Sequence, residues 1–125
     1  MKKNRLRCTL FLTFLTILML LTMSVSAQAA GVKTPGKVTV TRVRLTGSNN
    51  VTVYWKKAKN ATNYRIYYKQ AGAKSWKGIA TVGAGRTSYT HNSSNKNPLI
   101  GGSKYVYTVR AYNRSSKKWG SYNKK

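Results

Sequence analysis

Beyond residue 36 the chain consists of short runs in which apolar and polar side chains alternate with a period of two. Val51, Val53 and Trp55 form one such apolar row, separated by Thr52 and Tyr54. This period is typical of a half-buried β-strand. The runs predict strands at residues 37–45, 51–55, 63–69, 76–82, 87–91, 104–113 and 119–122. No helical period occurs in this region, so seven short strands in fewer than 100 residues predict an all-β antiparallel sandwich.

The first predicted strand changes phase along its length. Val38 and Val40 lie on one side of the strand, whereas Val43 and Leu45 lie on the other. Side chains alternate strictly in a regular strand, so this shift predicts a β-bulge or a change of partner within residues 37–45.

The first 29 residues have the composition of a secretory signal peptide. Four cations precede an apolar run at residues 10–23, and residues 26–29 read Ser-Ala-Gln-Ala, a small-residue cleavage site. A retained membrane anchor is the alternative, but the run is shorter than the roughly 20 apolar residues that span a bilayer. We predict a signal peptide at residues 1–29, a lead-in at 30–36 and one domain at 37–125. The protein is then secreted, extracellular or attached to the cell surface, and its Lys-rich N-terminus is typical of bacteria.

The charged side chains all have the same sign. The 125-residue chain contains 24 Lys and Arg residues and no Asp or Glu, and 20 of these cations follow the predicted signal peptide. Side-chain carboxylates are therefore excluded as general acids, as partners for histidine and as metal ligands. The missing counter-charge favours a polyanionic partner: a teichoic-acid-like polymer, an acidic polysaccharide or another cell-wall component, with nucleic acid and anionic membrane as alternatives.

The sequence offers no constellation for catalysis. His91 is the only histidine, and the single cysteine, Cys8, lies in the predicted signal peptide. His91 therefore has no carboxylate, thiol or second histidine to orient it or to share a metal. We interpret it as a structural residue at a strand end, half covered by the loop that follows. The chain is predicted not to be an enzyme and to have no catalytic, cofactor-binding or metal-binding residue.

The order and spacing of three motifs resemble the fibronectin type III family over essentially the whole mature chain. The motifs are Val51-x-Val53-x-Trp55, Tyr64-x-Ile66-x-Tyr68 and Leu99-x-x-Gly102-x-x-Tyr105-x-Tyr107-x-Val109-x-Ala111. The resemblance implies a seven-stranded, immunoglobulin-like antiparallel sandwich with a core that contains Trp55, Tyr64, Tyr68, Leu99 and Tyr105. It also implies that Tyr105 forms a tyrosine corner, with its ring in the core and its hydroxyl bonded to nearby backbone.

The resemblance further implies which side chains share an exposed sheet face. In this family the third, sixth and seventh strands form one sheet, and here two aromatic residues lie among cations on its outer side. The predicted ligand surface comprises Arg65, Tyr67, Lys69, Lys104, Arg110 and Tyr112. Aromatic rings stack on sugars or bases and cations pair with anionic groups, whereas an ordinary solvated sheet face is the simpler alternative. Separate basic clusters are predicted at Lys56, Lys57, Lys59, Arg114, Lys117 and Lys118.

Two features depart from the family pattern: residues 92–98 form a longer connection than usual, and the predicted last strand is short. Three hypotheses for function remain. The first is a secreted, non-catalytic binding or adhesion module that associates through its basic surface with anionic polymers of the cell envelope or extracellular matrix. The second is a spacer or accessory domain of a larger extracellular carbohydrate-active enzyme or adhesin. The third is a secreted cationic protein that binds nucleic acid or membranes.

Overall fold

Two antiparallel sheets form a sandwich in the computed structural model, which describes residues 31–123. The strands are β1 (Thr39–Gly47), β2 (Asn50–Lys56), β3 (Asn63–Gln70), β4 (Lys77–Gly83), β5 (Ser88–Asn92), β6 (Tyr105–Asn113) and β7 (Lys118–Trp119). One sheet has the order β1-β2-β5 and the other β4-β3-β6-β7. The predicted all-β, seven-stranded sandwich is thus confirmed, while the predicted signal peptide at residues 1–29 lies outside the described residues. Residues 31–123 contain no helix that is long and apolar enough to cross a membrane.

The core lies between the sheets and consists of the alternating apolar rows. Trp55 of β2 packs against Tyr64 of β3, with 5.7 Å between their ring centroids. Leu99 and Tyr105 are partly buried against this core. Burial of each large apolar side chain contributes about 1.5–3 kcal/mol to stability. The buried apolar residues are Val38, Val53, Trp55, Tyr64, Ile66, Tyr68, Tyr107, Val109 and Ala111.

The phase shift predicted in the first strand appears as a bulge in β1. The register of β1 against β2 shifts between Val40 and Arg42. Val38 on the N-terminal side is fully buried, whereas Val43 and Leu45 beyond the bulge are 45% and 70% exposed. The C-terminal half of β1 therefore turns its apolar side chains toward a part of the sandwich that the second sheet does not cover.

Tyr105 forms the tyrosine corner that the sequence predicts. The backbone N–H of Ile100 donates a hydrogen bond of 2.9 Å to the Tyr105 hydroxyl. Gly102 adopts a φ of 78°, a left-handed conformation that side chains oppose, and so lets the chain turn into β6. The N–H of Leu99 donates to the Ser93 hydroxyl at 2.8 Å. These two hydrogen bonds tie the end of the long connection to the core.

The last strand is shorter than predicted, and this prediction was wrong in its bounds. Residues 119–122 were expected to be a strand, but β7 covers only Lys118–Trp119. The Gly120 N–H still donates to Ala111 at 2.9 Å. Its carbonyl, however, accepts the side-chain Nε of Arg110 at 2.6 Å. The pairing ends here because a side-chain donor takes the carbonyl that a continued strand would offer to the β6 backbone.

His91 is fully buried, which corrects the expectation of a half-covered histidine. It is 2% exposed, with Nδ1 2.8 Å from the Tyr107 hydroxyl and Nε2 3.1 Å from the Asn97 carbonyl. A carbonyl only accepts, so Nε2 carries the proton and Nδ1 accepts from Tyr107. Burial lowers the pKa of His91, the Asn97 hydrogen bond opposes this effect and the charge of Lys77 adds to it. The neutral imidazole is therefore a structural link between β5, β6 and the loop after β5.

Replacing Tyr105 with Phe removes the acceptor of the Ile100 N–H. We expect the free energy of unfolding, measured by urea denaturation, to fall by about 1–2 kcal/mol. Tyr89→Phe is the matched control and is expected to change stability less, because its hydroxyl is outside the hydrogen-bonded set. The tyrosine hydroxyls bonded within residues 31–123 are those of Tyr64, Tyr68, Tyr105 and Tyr107. Equal losses in the two variants would refute the role given to the tyrosine corner.

His91 predicts an unusually simple dependence of stability on pH. The folded-state pKa lies below the ordinary 6.5, so the unfolded chain binds more protons as the pH falls below about 7. Stability is fully present above pH 6.5 and decreases toward pH 5, with a slope of at most about 1.4 kcal/mol per pH unit. No other side chain titrates in this range, because the chain has one His and no Asp or Glu. In tag-free His91→Gln protein, the slope of the free energy of unfolding against pH should disappear between pH 5 and 6.5. An unchanged slope would contradict the conclusion that burial of a neutral His91 causes it.

Candidate binding surface

The outer face of the four-stranded sheet brings part of the predicted ligand surface together. β3 and β6 pair so that Arg65 lies opposite Arg110 and Tyr67 lies opposite Thr108. Tyr112 lies at the end of the same face, opposite Asn63. Two like charges on opposing strands repel each other, so neighbouring groups must compensate for the placement of the arginines.

For Arg110, the neighbouring groups are two aromatic residues outside the predicted ligand surface. The guanidinium of Arg110 lies 4.4 Å from the ring centroid of Tyr122 and 5.2 Å from that of Trp119. Trp119 also lies against Tyr112 at 4.6 Å, and Tyr122 against Tyr67 at 5.6 Å. We call these five residues the cation–aromatic stack. Their ring faces and edges contact one another, and such contacts contribute about 0.5–1.5 kcal/mol each.

The stack also affects the phenol of Tyr67. Burial raises its pKa, and the neighbouring Tyr122 raises it further against the weaker opposing effects of Arg65 and Arg110. The Tyr67 hydroxyl therefore remains protonated at neutral pH. Two aromatic residues so close in sequence, Trp119 and Tyr122, were the available sign of an aromatic site. Because residues 119–122 were predicted to be a strand, in which residues three apart point to opposite faces, a shared contact with Arg110 was not expected.

Lys69 and Lys104 belong to the predicted surface but lie outside the cation–aromatic stack. The Lys69 ammonium donates to the Ala73 carbonyl at 2.8 Å and lies 4.9 Å from the ring centroid of Trp76. Lys104 is exposed and immediately precedes β6. Three members of the predicted surface, Tyr67, Arg110 and Tyr112, thus belong to the stack. Arg65 lies beside it, 5.9 Å from the ring centroid of Tyr67, and the two lysines are peripheral.

The two basic clusters, predicted separately, lie at the same end of the sandwich. Thr62, in the loop between β2 and β3, accepts from Ala84 N–H through its carbonyl at 3.1 Å and from Arg114 N–H through its hydroxyl at 3.0 Å. The Asn113 side chain donates to the Asn60 carbonyl at 2.6 Å. These bonds join the loops after β2, β4 and β6 into one surface.

This surface, which we call the basic end, carries eight exposed cations. It includes Lys33 because the Ser116 hydroxyl donates to the Lys33 carbonyl at 2.7 Å and so holds the lead-in beside the loop after β6. The members of the basic end are Lys33, Lys56, Lys57, Lys59, Arg86, Arg114, Lys117 and Lys118. Lys33 and Arg86 were missed in the sequence, because only the hydrogen bonds between loops place them beside the two clusters.

The cations of the basic end are not engaged by the rest of the described protein. Within residues 31–123, the Lys and Arg side chains that donate hydrogen bonds are Arg65, Lys69, Lys77 and Arg110. None of these four lies at the basic end. Side-chain carboxylates are absent from the whole sequence. The positive potential of the basic end is therefore available to anions in solution.

Comparison with known proteins gives matches in structure alone. No protein-family model matches the chain, and the search of curated proteins found no match. The chicken CNTN1 FN1-FN3 domains share 23% identity with a TM-score of 0.57, covering 74% of this chain and 30% of that one. The FN5 domain of Drosophila Lar shares 19% identity with a TM-score of 0.53, covering 71% of this chain and 88% of that one.

A bacterial structure is similar to the same degree. An Fn3-like protein from Clostridium thermocellum shares 20% identity with a TM-score of 0.52, covering 73% of this chain and 88% of that one. The two-sheet topology, the tyrosine corner and these structural matches agree on one architecture. The described residues have the fibronectin type III fold.

Proposed function

We propose that this protein is a secreted, non-catalytic binding module that attaches through its basic end to an anionic polymer of the cell envelope. The observation that carries the proposal is the clustering of eight exposed Lys and Arg side chains in a chain without a single Asp or Glu. The ligand class is a polymer with repeated phosphate or carboxylate groups, such as a teichoic-acid-like polymer or an acidic polysaccharide.

The basic end suits a repeating ligand better than a single small anion. Its cations lie on several loops around the end of the sandwich, so they present many separate contacts rather than one enclosed pocket. Each exposed ion pair contributes about 0.2–1 kcal/mol and weakens as salt increases. Useful affinity therefore requires several such contacts at once, which a polymer supplies through its repeated charges.

The fold also favours a second candidate, a module within a larger extracellular enzyme or adhesin. This chain corresponds to 30% of the matched chicken chain and to 16% of a matched chain containing titin kinase and its flanking domains. Domains with this fold thus occur as parts of longer proteins. In this second candidate the basic end would retain a larger protein at the envelope, so both candidates share the same binding chemistry.

The test is a comparison of two charge-lowered variants with equal net charge. Lys57→Gln, Lys59→Gln and Arg114→Gln remove three cations from the basic end. The control removes three exposed lysines from loops at the opposite end of the sandwich, by substituting Lys74, Lys96 and Lys104 with Gln. Binding is measured to teichoic acid, an acidic polysaccharide, double-stranded DNA and anionic vesicles between 50 and 500 mM salt.

We expect the basic-end variant to bind teichoic acid or the acidic polysaccharide at least about threefold more weakly than the control, with a shallower salt dependence. Equal weakening of the two variants would show that binding follows net charge and would refute the basic end as the site. Retention on none of the four probes at 50 mM salt would refute polyanion binding. Tighter binding to DNA or vesicles than to both polymers would replace the envelope polymer with those partners.

A further inference from the structure

Arg65 is an exposed cation that the fold positions beside the cation–aromatic stack. Its guanidinium lies 5.9 Å from the ring centroid of Tyr67, a member of the stack. It also lies against β4 at Gly78, where a Cβ would come within 2.8 Å of the guanidinium Nε and 2.9 Å of one Nη. A glycine in a strand often marks such a close approach. Gly78 thus leaves the space in which the Arg65 guanidinium rests.

The donors of Arg65 have little to bind within the protein. Within residues 31–123 its side chain donates one hydrogen bond, of 3.5 Å, to the Thr81 hydroxyl. This distance exceeds the usual N–H···O range of about 2.7–3.2 Å. Arg110 lies opposite Arg65 on β6, and the one acceptor that the described residues give it is the Gly120 carbonyl at its Nε. Two arginines on opposing strands therefore have unused donors.

An anionic ligand would complete this arrangement. Like charges at opposing positions of paired strands repel each other, and the sequence has no Asp or Glu to place between Arg65 and Arg110. A guanidinium binds a carboxylate through two parallel hydrogen bonds, and less of its entropy is lost when the fork is already held in place. The charge of this face therefore favours a ligand with carboxylate groups.

The stack supplies an aromatic surface on the same face. Trp119, which is 38% exposed, and Tyr112 lie 4.6 Å apart, with 41° between their ring planes. A flat nucleobase stacks on a single ring plane. The C–H groups of a pyranose ring do not lie in one plane, so a sugar can contact both inclined rings. The geometry of this pair favours a sugar over a base.

The two parts of this face are too far apart for a single sugar unit. Trp119 belongs to β7, whereas the Arg65 guanidinium lies against β4 at the other edge of the sheet. Adjacent strands are about 4.8 Å apart, so three strand spacings separate the edges by roughly 14 Å. A ligand that reaches both parts is a chain of two or three sugar units that crosses the strands.

We propose that the outer face of the four-stranded sheet is a carbohydrate-binding site for uronic acid units of an acidic polysaccharide, with one sugar ring on Trp119 and Tyr112 and the carboxylate of a following unit on Arg65. This site is separate from the basic end and does not depend on polymer binding there. It adds selectivity for sugars to an attraction that otherwise depends on charge.

The test measures the binding of three small probes to the full chain at 150 mM salt. Trigalacturonate carries sugar rings and carboxylates, its methyl ester keeps the rings without the charges, and tripolyphosphate carries charge without rings. We expect trigalacturonate to bind at least about tenfold more tightly than the ester. It should also shift the indole N–H signal of Trp119 in NMR spectra, which tripolyphosphate should leave unchanged.

Gly78→Ala tests the position of Arg65 without changing any charge. The atoms that the new methyl group meets are the end of a flexible side chain, so the variant should fold. Gly83→Ala is the matched control in the same strand, because a Cβ there meets nothing within 4 Å. We expect Gly78→Ala and Arg65→Lys, which loses the fork but keeps the charge, to bind trigalacturonate about fivefold more weakly, and the control to change less than about twofold.

Trp119→Ala tests the aromatic part of the site. We expect it to weaken trigalacturonate about threefold or more and to leave tripolyphosphate unaffected. Trp76→Ala is the matched control, because it removes an indole that contacts a cation, Lys69, outside the stack. Melting temperatures establish that the variants are folded.

Four results would overturn the proposal. Equal binding of trigalacturonate and its ester would exclude the carboxylate contact, and unchanged affinity in both Gly78→Ala and Arg65→Lys would exclude Arg65. An equal loss of trigalacturonate and tripolyphosphate in Trp119→Ala would leave charge alone as the cause of binding. Tighter binding of an oligothymidylate that also depends on Trp119 would assign the face to nucleic acid.

The basic-end variant with three Gln substitutions separates this site from the first. It should bind trigalacturonate at least half as tightly as the unmodified chain and should bind tripolyphosphate more weakly. A larger loss of trigalacturonate would place the trisaccharide at the basic end and contradict a site on the sheet face. An unchanged affinity for tripolyphosphate would count against the basic end alone.

Discussion

The absence of side-chain carboxylates is the constraint on which the rest of the structure depends. With 24 cations and no Asp or Glu, no pair of side chains in this protein can form a salt bridge. Stability must come from the apolar core and from hydrogen bonds, against the mutual repulsion of the cations. The sandwich meets this demand with a continuous core of aromatic and β-branched residues contributed by both sheets.

In this protein, hydroxyls, carbonyls and aromatic rings serve as the partners of hydrogen-bond donors and cations, a role that carboxylates share in most proteins. Tyr64 accepts a backbone N–H at the loop after β2, and Tyr107 donates to the buried His91. Among the cations, Arg110 lies between Trp119 and Tyr122 and donates to a backbone carbonyl. Neutral partners of this kind hold a cation in place but do not cancel its charge. The charge of the protein therefore remains positive, and eight exposed cations of the described residues lie together at the basic end.

The fold was largely predictable because the core residues follow the simple period of a strand. The rows around Trp55, Ile66 and Val109 predict both the strands and their buried sides, and the resemblance to fibronectin type III domains implies the tyrosine corner at Tyr105. Sequence period could not predict the end of β7, because that end depends on a carbonyl captured by Arg110, ten residues earlier. It also could not predict the full burial of His91, which requires the long loop to fold over it.

The candidate surfaces were less predictable than the fold, since they arise from contacts between distant loops. Alternation, together with the strand order that the resemblance to fibronectin type III domains implies, could assign Arg65, Tyr67 and Arg110 to one face, but the approach of Trp119 and Tyr122 to that face could not be predicted in this way. The basic end appeared in the sequence as two separate clusters, and hydrogen bonds through Thr62 unite them.

The most direct test of the uncompensated charge is the melting temperature as a function of sodium chloride between 10 and 500 mM. Screening shortens the Debye length from about 30 Å at 10 mM to about 8 Å at 150 mM, so most of the change should fall in that range. Unopposed repulsion predicts a rise of several degrees, and a smaller rise in the variant with Lys57, Lys59 and Arg114 replaced by Gln. A melting temperature that stays constant or falls as salt is added would contradict the claim that positive charge limits the stability of this fold.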